Sequence, residues 1–388
     1  MLTNFFFAFL LSVSLQAQVQ FTGRVGAECT EQYVPMITQK NVAIVANQTS
    51  IVDGVHLVDT LLSLGVSVQK IFSPEHGFRG NNSAGALVDN EIDSITQLPI
   101  ISLYGNHKKP TKKDMNGIDI VIFDIQDVGA RFYTYISTLH YVMEACAEQN
   151  IPCLILDRPN PNGFYVAGPV LEPEFTSFVG MHPVPIVHGM TIGEYARMIN
   201  AEGWLKNKVS CSLAIIPCEG YSHSQRYILP VAPSPNLPTM QSIYLYPTLC
   251  LFEGTAMSCG RGTDFPFEVI GAPAYNKRIF SFVPRSIPGA SEHPRYEGET
   301  CYGIDFRSYH TDSIGSQGLL LDILIEAYTH YSEKDAFFTP FFYKLSGTRN
   351  IRHALEQNLS QEEMRKIWQK DIERFCEKRK KYLLYPDF

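Results

Sequence analysis

Residues 42–72 read VAIVANQTSIVDGVHLVDTLLSLGVSVQKIF, and this stretch decides the fold class. It opens on five consecutive apolar residues, Val42 to Ala46, a run too short for a helix and rich in β-branched side chains. Such a run predicts a strand buried on both faces. Val55, Val58, Leu61 and Leu62 follow at the spacing of one helix face, and Gly65 stops them. Val66 to Phe72 predicts a second strand. The rhythm continues with a strand at Ile118 to Phe123, a helix carrying Ile136, Leu139, Val142 and Met143, and a strand at Cys153 to Leu156. Thr191 and Glu194 form a capping box that opens a helix ending before Gly203, and Ser210 to Ile216 predicts a further strand. Apolar strands separated by helices imply an α/β domain, a Rossmann-like doubly wound parallel sheet, over residues 25–255.

The character changes after about residue 225. Five prolines (Pro230, Pro233, Pro235, Pro238, Pro247) fall within residues 229–247, and residues 259–303 are rich in Gly, Pro and aromatics. Helical periodicity returns at Gly318 to Tyr328 and behind a second capping box at Ser360 and Glu363. A second, smaller α+β auxiliary domain is expected over residues 256–388. Its last helix carries Lys378-Arg379-Lys380-Lys381, which reads as solvated charge at a helix C-terminus.

The 388 residues are 45% hydrophobic and 18% charged, with a net charge of −7. No dense basic stripe accompanies that balance, which argues against a nucleic-acid partner. Residues 1–17 read as a signal peptide: Phe5 to Val13 is nearly all apolar, and Gln16-Ala17-Gln18 offers a small-residue cleavage site, although no Lys or Arg precedes the run. The expectation is an exported chain, periplasmic or secreted, with no stable membrane span once the signal is removed. The nine cysteines contain no C-x-x-C pair; one or two disulfides are compatible with an oxidising compartment, but most read as small packing residues. Oligomeric state is not legible.

In an open parallel sheet, ligands bind beyond the carboxyl ends of the strands. The first strand is followed by Asn47, Gln48 and Thr49, and the second by Ser73, Pro74, Glu75, His76 and Gly77. Asp124, Gln126, Asp127, Arg131, Tyr133 and Tyr135 follow the third; Asp157, Arg158, Asn160 and Asn162 follow the fourth. Carboxylates, amides, Arg, His and aromatics thus converge on one rim. Each has a plainer reading too: Asp124 and Asp157 as loop braces, Arg131 as a partner of Asp127, His188 as a core histidine. Glu253 and Arg261 stand among glycines and prolines in residues 251–263, either at a ligand or at a hinge. No G-x-G-x-x-G, Walker A loop, G-x-S-x-G or H-E-x-x-H occurs, so neither a cofactor nor a metal site is expected.

Several blocks together resemble the NamZ-type exo-β-N-acetylmuramidases. They are Ser73-Pro74-Glu75-His76-Gly77-Phe78, residues 123–135, Leu156-Asp157-Arg158-Pro159-Asn160-Pro161, residues 188–194, Pro233-Ser234-Pro235-Asn236, and residues 250–263. The likeness runs in order over nearly the whole chain after the signal. It implies a Rossmann-like catalytic domain with an auxiliary C-terminal domain. It also implies cofactor-free release of terminal N-acetylmuramic acid (MurNAc) from the non-reducing end of β-1,4-linked MurNAc-GlcNAc fragments of peptidoglycan, with Glu75 as the catalytic glutamate. Residues 262–266 depart from the family's usual run, so no substrate contact is expected of Asp264 or Phe265.

Glycosidic cleavage needs a proton donor and stabilisation of an oxocarbenium-like centre. Glu75 suits the donor. Asp127 or Glu253 is the second group, as base or nucleophile, unless the substrate's own acetamido oxygen attacks. Arg131, Arg158 or Arg261 is expected to hold the lactyl carboxylate, because a guanidinium matches a carboxylate in bidentate geometry. Asn47, His76, Gln126, Tyr133, Asn160, His188 and Glu253 complete the expected substrate-binding set. A sugar-binding protein without catalysis and, less favoured, a dinucleotide-dependent oxidoreductase are the competing readings.

Overall fold

The structure is a computed structural model describing residues 19–75, 77, 78 and 91–388. The signal-peptide reading of residues 1–17 and the expected site residue His76 lie outside the described residues.

Among the described residues two main sheets use ten strands: β1 Asn41–Ala46, β2 Ser67–Ser73, β3 Glu91–Ile92, β4 Pro99–Ser102, β5 Ile120–Asp124, β6 Cys153–Leu156, β7 Leu213–Ile216, β8 Val269–Ala272, β9 Phe280–Phe282 and β10 Cys301–Asp305. The first seven form one sheet in the order β3-β4-β2-β1-β5-β6-β7, parallel except for the short edge strand β3. Strands are added outward on one side of β1 up to β4 and then, from β5, outward on its other side, which gives the doubly wound, Rossmann-like order. Val45 faces Phe72 on one side and Phe123 on the other.

Alternation along each strand explains the layering. Ala43, Val45, Val121, Phe123, Cys153 and Ile155 enter one apolar cluster, whereas Val42, Ile44, Ile120, Ile122, Leu154 and Leu156 enter another. Helices α1 Thr30–Ile37 and α2 Leu57–Ser63 cover the second cluster through Tyr33, Ile37, Leu57, Val58 and Leu61. Helices α3 Tyr135–Gln149 and α4 Ile192–Ala201 cover the first. A strand with both faces buried must be apolar throughout, and that is the pattern legible in residues 42–46.

Some expectations give way. Val55 is not helical; Ile51–Val52 and Val55–His56 form a small hairpin turned by Asp53 and Gly54, both at positive φ. Helix α2 starts only at Leu57, where the His56 ring accepts the Val58 N–H. Strands β3 and β4 were not foreseen, and neither was helix α5, Met240–Leu249, inside the proline-rich segment. Pro247 within α5 has no N–H to give the Ile243 carbonyl; the Asn162 side chain donates to it instead, at 3.1 Å.

The auxiliary part carries the antiparallel sheet β8-β10-β9 and helices α6 Leu321–His330, α7 Phe341–Ser346, α8 Asn350–Glu356 and α9 Gln361–Arg379. Its apolar residues Phe267, Phe337, Phe342, Leu355 and Trp368 join the same cluster as one face of the large sheet. Arg379, expected in solvent, is buried: it donates to the Gly189 carbonyl and pairs with Asp387 at 2.8 Å. All nine cysteines are unpaired, eight of them buried.

Candidate active site

The second strand ends at Ser73, and the chain turns at once. Gly77 N–H donates to the Pro74 carbonyl at 3.2 Å, with Gly77 at φ +77°, where an L side chain would be strained. That turn carries Glu75 off the carboxyl edge of the sheet. Its carboxylate accepts the Thr134 hydroxyl at 3.2 Å. The Tyr104 hydroxyl is raised above its usual pKa by burial first, then by the charge of Glu75 and a hydrogen bond to it.

Glu75 opens into a cavity of about 180 Å3. Tyr104, Tyr133, Thr134 and Tyr135 line it from the large sheet's loops, with Phe178, Ser234 and Asn236 beside them; Tyr246, Glu253, Arg261 and Phe267 complete it from the later part of the chain. Its floor is aromatic: Tyr246 meets Tyr133, Phe132 and Phe267 edge-on at 5.8, 5.4 and 5.0 Å between centroids. The Tyr133 hydroxyl donates to the Pro233 carbonyl at 2.8 Å, which fixes the segment bearing Ser234 and Asn236.

Across the cavity, Arg261 donates through Nε to Glu253. Burial opposes the guanidinium's charge, but the adjacent Glu253 carboxylate outweighs it and holds the pKa above the usual arginine value. Phe267, fully buried beneath Arg261, sits at φ +58°, a conformation of low intrinsic stability held by its packing.

Of the expected catalytic and substrate-binding residues, Glu75, Tyr133, Glu253 and Arg261 line this cavity, and so does Tyr135 from the polar rim. The other described ones do not, and each has its own reason. Arg131 is wholly buried and donates to four backbone carbonyls, of Pro169, Val184, Leu345 and Ser346, at 2.7–2.9 Å. Burial pulls its pKa down to about 9. It therefore neither pairs with Asp127 nor reaches a lactyl group. Arg158 makes a buried fork with Asp124 at 2.6 and 2.9 Å and is likewise corrected to a structural ion pair. Asn160 donates to the Met190 carbonyl, and Gln126 to those of Asp127 and Pro159. Asn47 is buried and joins the Tyr135 hydroxyl to Thr49, bracing the loop after β1 against α3.

Asp127 and His188 are not part of the cavity lining; they stand 3.8 Å apart and both are buried. Asp127 accepts the Gly129 N–H at 2.7 Å, and burial raises its carboxyl from 3.8 to about 7. A carboxyl with a raised folded pKa costs the fold stability as pH rises from its unfolded to its folded value. Replacing it with the always neutral Asn removes that cost. The Asp127→Asn melting temperature should gain on wild type as pH climbs through 4 to about 7, and lie closest to it below that window. Melting curves at both ends check this; a pH-independent difference contradicts it.

Residues that the sequence reading missed include Tyr104, Thr134, Phe178, Tyr246 and Phe267. Among the described residues, one group brings three metal-type ligand atoms within 4.8 Å, Cys29, Glu31 and Glu219. Both carboxylates are already held by Arg24, at 2.6 and 2.9 Å.

Comparison with known proteins now decides the family. The N-terminal model of exo-β-N-acetylmuramidase NamZ matches residues 42–241, and the C-terminal model matches residues 244–385. The chain belongs to the NamZ family. It is 40% identical over 336 residues to the peptidoglycan β-N-acetylmuramidase NamZ of Bacillus subtilis (strain 168), covering 82% of this chain and 80% of that protein. Two crystal structures of DUF1343 family proteins from Bacteroides fragilis NCTC 9343 share the fold. One has a TM-score of 0.88 at 47% identity, over 94% of this chain and 99% of that one; the other has 0.78 at 28% identity, over 93% and 98%. The NamZ cavity described above draws on both matched regions, Glu75 from the first and Glu253 and Arg261 from the second.

Proposed function

We propose that this NamZ-family chain is an exo-acting glycoside hydrolase that removes terminal β-1,4-linked MurNAc from the non-reducing end of peptidoglycan fragments. The observation carrying this reading is the meeting of two carboxylates, Glu75 and Glu253, in one aromatic-floored cavity. Glu75 is the proton donor to the leaving oxygen, with Thr134 and Tyr104 fixing its carboxyl. Glu253 is the second group, placed to orient water or the substrate's acetamido group. Arg261 spends Nε on Glu253 and keeps its terminal amino groups for the lactyl oxygens of MurNAc. Export, as residues 1–17 read, carries the chain to its peptidoglycan substrate.

The test compares MurNAc-GlcNAc with the corresponding GlcNAc-terminated disaccharide. Wild type should release MurNAc and leave the second substrate largely untouched. Arg261→Ala should narrow the MurNAc:GlcNAc ratio of kcat/KM roughly ten-fold or more, since a charge-assisted hydrogen bond is worth about 1.5–3 kcal/mol. Absence of turnover in wild type would defeat the enzymatic reading; an unchanged ratio in the variant would clear Arg261 of recognising the lactyl group.

A further inference from the structure

The segment Pro233-Ser234-Pro235-Asn236-Leu237-Pro238 walls the cavity of Glu75 through Ser234, Asn236 and Leu237, all three buried. Its prolines fix φ at every second or third position, and its polar groups hold the rest still. The Pro233 carbonyl takes the Gln48 amide at 3.1 Å and the Tyr133 hydroxyl at 2.8 Å. The Ser234 carbonyl takes the Leu237 N–H at 2.9 Å, and the Ser234 hydroxyl oxygen takes the Asn236 N–H at 3.2 Å.

The Asn236 side chain is fixed in one sense as well. Its Nδ2 donates to the Ala290 carbonyl at 2.9 Å, and because a carbonyl only accepts, the amide cannot be turned over there. Its Oδ1 accepts nothing from the described residues, yet it is not sealed in the interior; it faces the cavity that Asn236 lines. The cavity therefore holds a neutral acceptor oxygen in place before any ligand arrives. Glu253, the carboxylate on the far wall, is already engaged: Oε1 takes Arg261 Nε, and Oε2 takes the Cys250 thiol at 3.6 Å.

A MurNAc ring carries one group beside the reacting carbon that can only donate, the N–H of its 2-acetamido substituent. Its hydroxyls can donate or accept, but the N–H needs an acceptor. An amide oxygen meets that need without adding negative charge near the lactyl carboxylate. We infer that Asn236 determines specificity for the N-acetylated ring, its Oδ1 accepting the 2-acetamido N–H of the MurNAc seated in the cavity. This rests on the proposed function and deepens it, since an N–H held by Asn236 leaves Glu253 to orient water.

Calorimetric titration with MurNAc and with its 2-acetoxy analogue, in which an ester oxygen replaces the N–H alone, tests the inference without requiring turnover. In wild type the analogue should bind roughly ten-fold more weakly, because it leaves Oδ1 without a donor. In Asn236→Ala, its folding checked by melting temperature, the two ligands should bind alike. Equal affinity of wild type for the two overturns the inference, as does a preference that survives in the variant. If the variant does not fold, a crystal structure of wild type with MurNAc decides: Oδ1 in hydrogen-bond reach of the acetamido nitrogen supports the inference, and Oδ1 on a ring hydroxyl or on no ligand atom overturns it. A wild type that binds no MurNAc and turns over no MurNAc-GlcNAc defeats the proposed function too, whereas binding and turnover without the preference defeat this inference alone.

Discussion

Glu75→Gln should lower kcat/KM on MurNAc-GlcNAc by about 10²–10⁴-fold, the usual contribution of a general acid. Gln keeps the size and can still accept the Thr134 hydroxyl, so the fold and the cavity survive the change. What it lacks is the proton. The O4 oxygen of GlcNAc is a poor leaving group and needs that proton in the transition state, whereas an aryl oxygen departs largely unaided. The loss should accordingly be much smaller on an aryl MurNAc glycoside. Steady-state kinetics on the two substrates, with melting temperature as a control for folding, provide the measurement. Full activity in Glu75→Gln would remove the residue from the mechanism. An equal loss on both substrates would point away from proton donation and toward attack or charge stabilisation at the anomeric carbon.

Arg131→Met should be the most damaging substitution for stability. The arginine fastens Pro169, Val184, Leu345 and Ser346 through one guanidinium, tying the loop after β5 to the end of α7. Methionine fills similar space but takes the guanidinium donors away from the Pro169, Leu345 and Ser346 carbonyls, at about 1–3 kcal/mol for each group left unsatisfied, while the Val184 carbonyl keeps the Leu171 N–H at 3.1 Å. Release of a buried charge, visible in a pKa drawn down to about 9, offsets part of this. A net loss of roughly 3–5 kcal/mol follows, comparable to breaking a buried ionic contact. It should appear as a fall in the urea midpoint with the slope unchanged. A variant that kept its midpoint and lost only affinity for MurNAc glycosides would return Arg131 to the substrate site.

These two residues illustrate what was legible in the sequence. Strands β1, β2, β5, β6 and β7 declare themselves because both faces of each are buried, so apolar character is nearly unbroken. Strand β4 is short and starts at Pro99; without it Tyr104, two residues beyond its end, passes unnoticed. The polar rim is harder to divide. Arg131, Arg158, Asn160 and Gln126 follow strand ends as closely as Glu75 does, but buried loops carry carbonyls and amides that must also be satisfied. Spacing alone does not separate a side chain that serves the loop from one that serves a ligand. Tyr246 was hidden for another reason: it lies on a helix that ends through Pro247, a residue that argues against helix, and only the Asn162 amide reconciles the two.

The pairing of Glu75 with Glu253 and Arg261 across one cavity has an evolutionary corollary. On the proposed assignment the first matched region supplies one carboxylate and the second the other, so separating the regions separates the pair. A recombinant joining the first half to a foreign partner would inherit a sheet and a single carboxylate without its counterpart. Selection must therefore transmit the pair as one heritable unit.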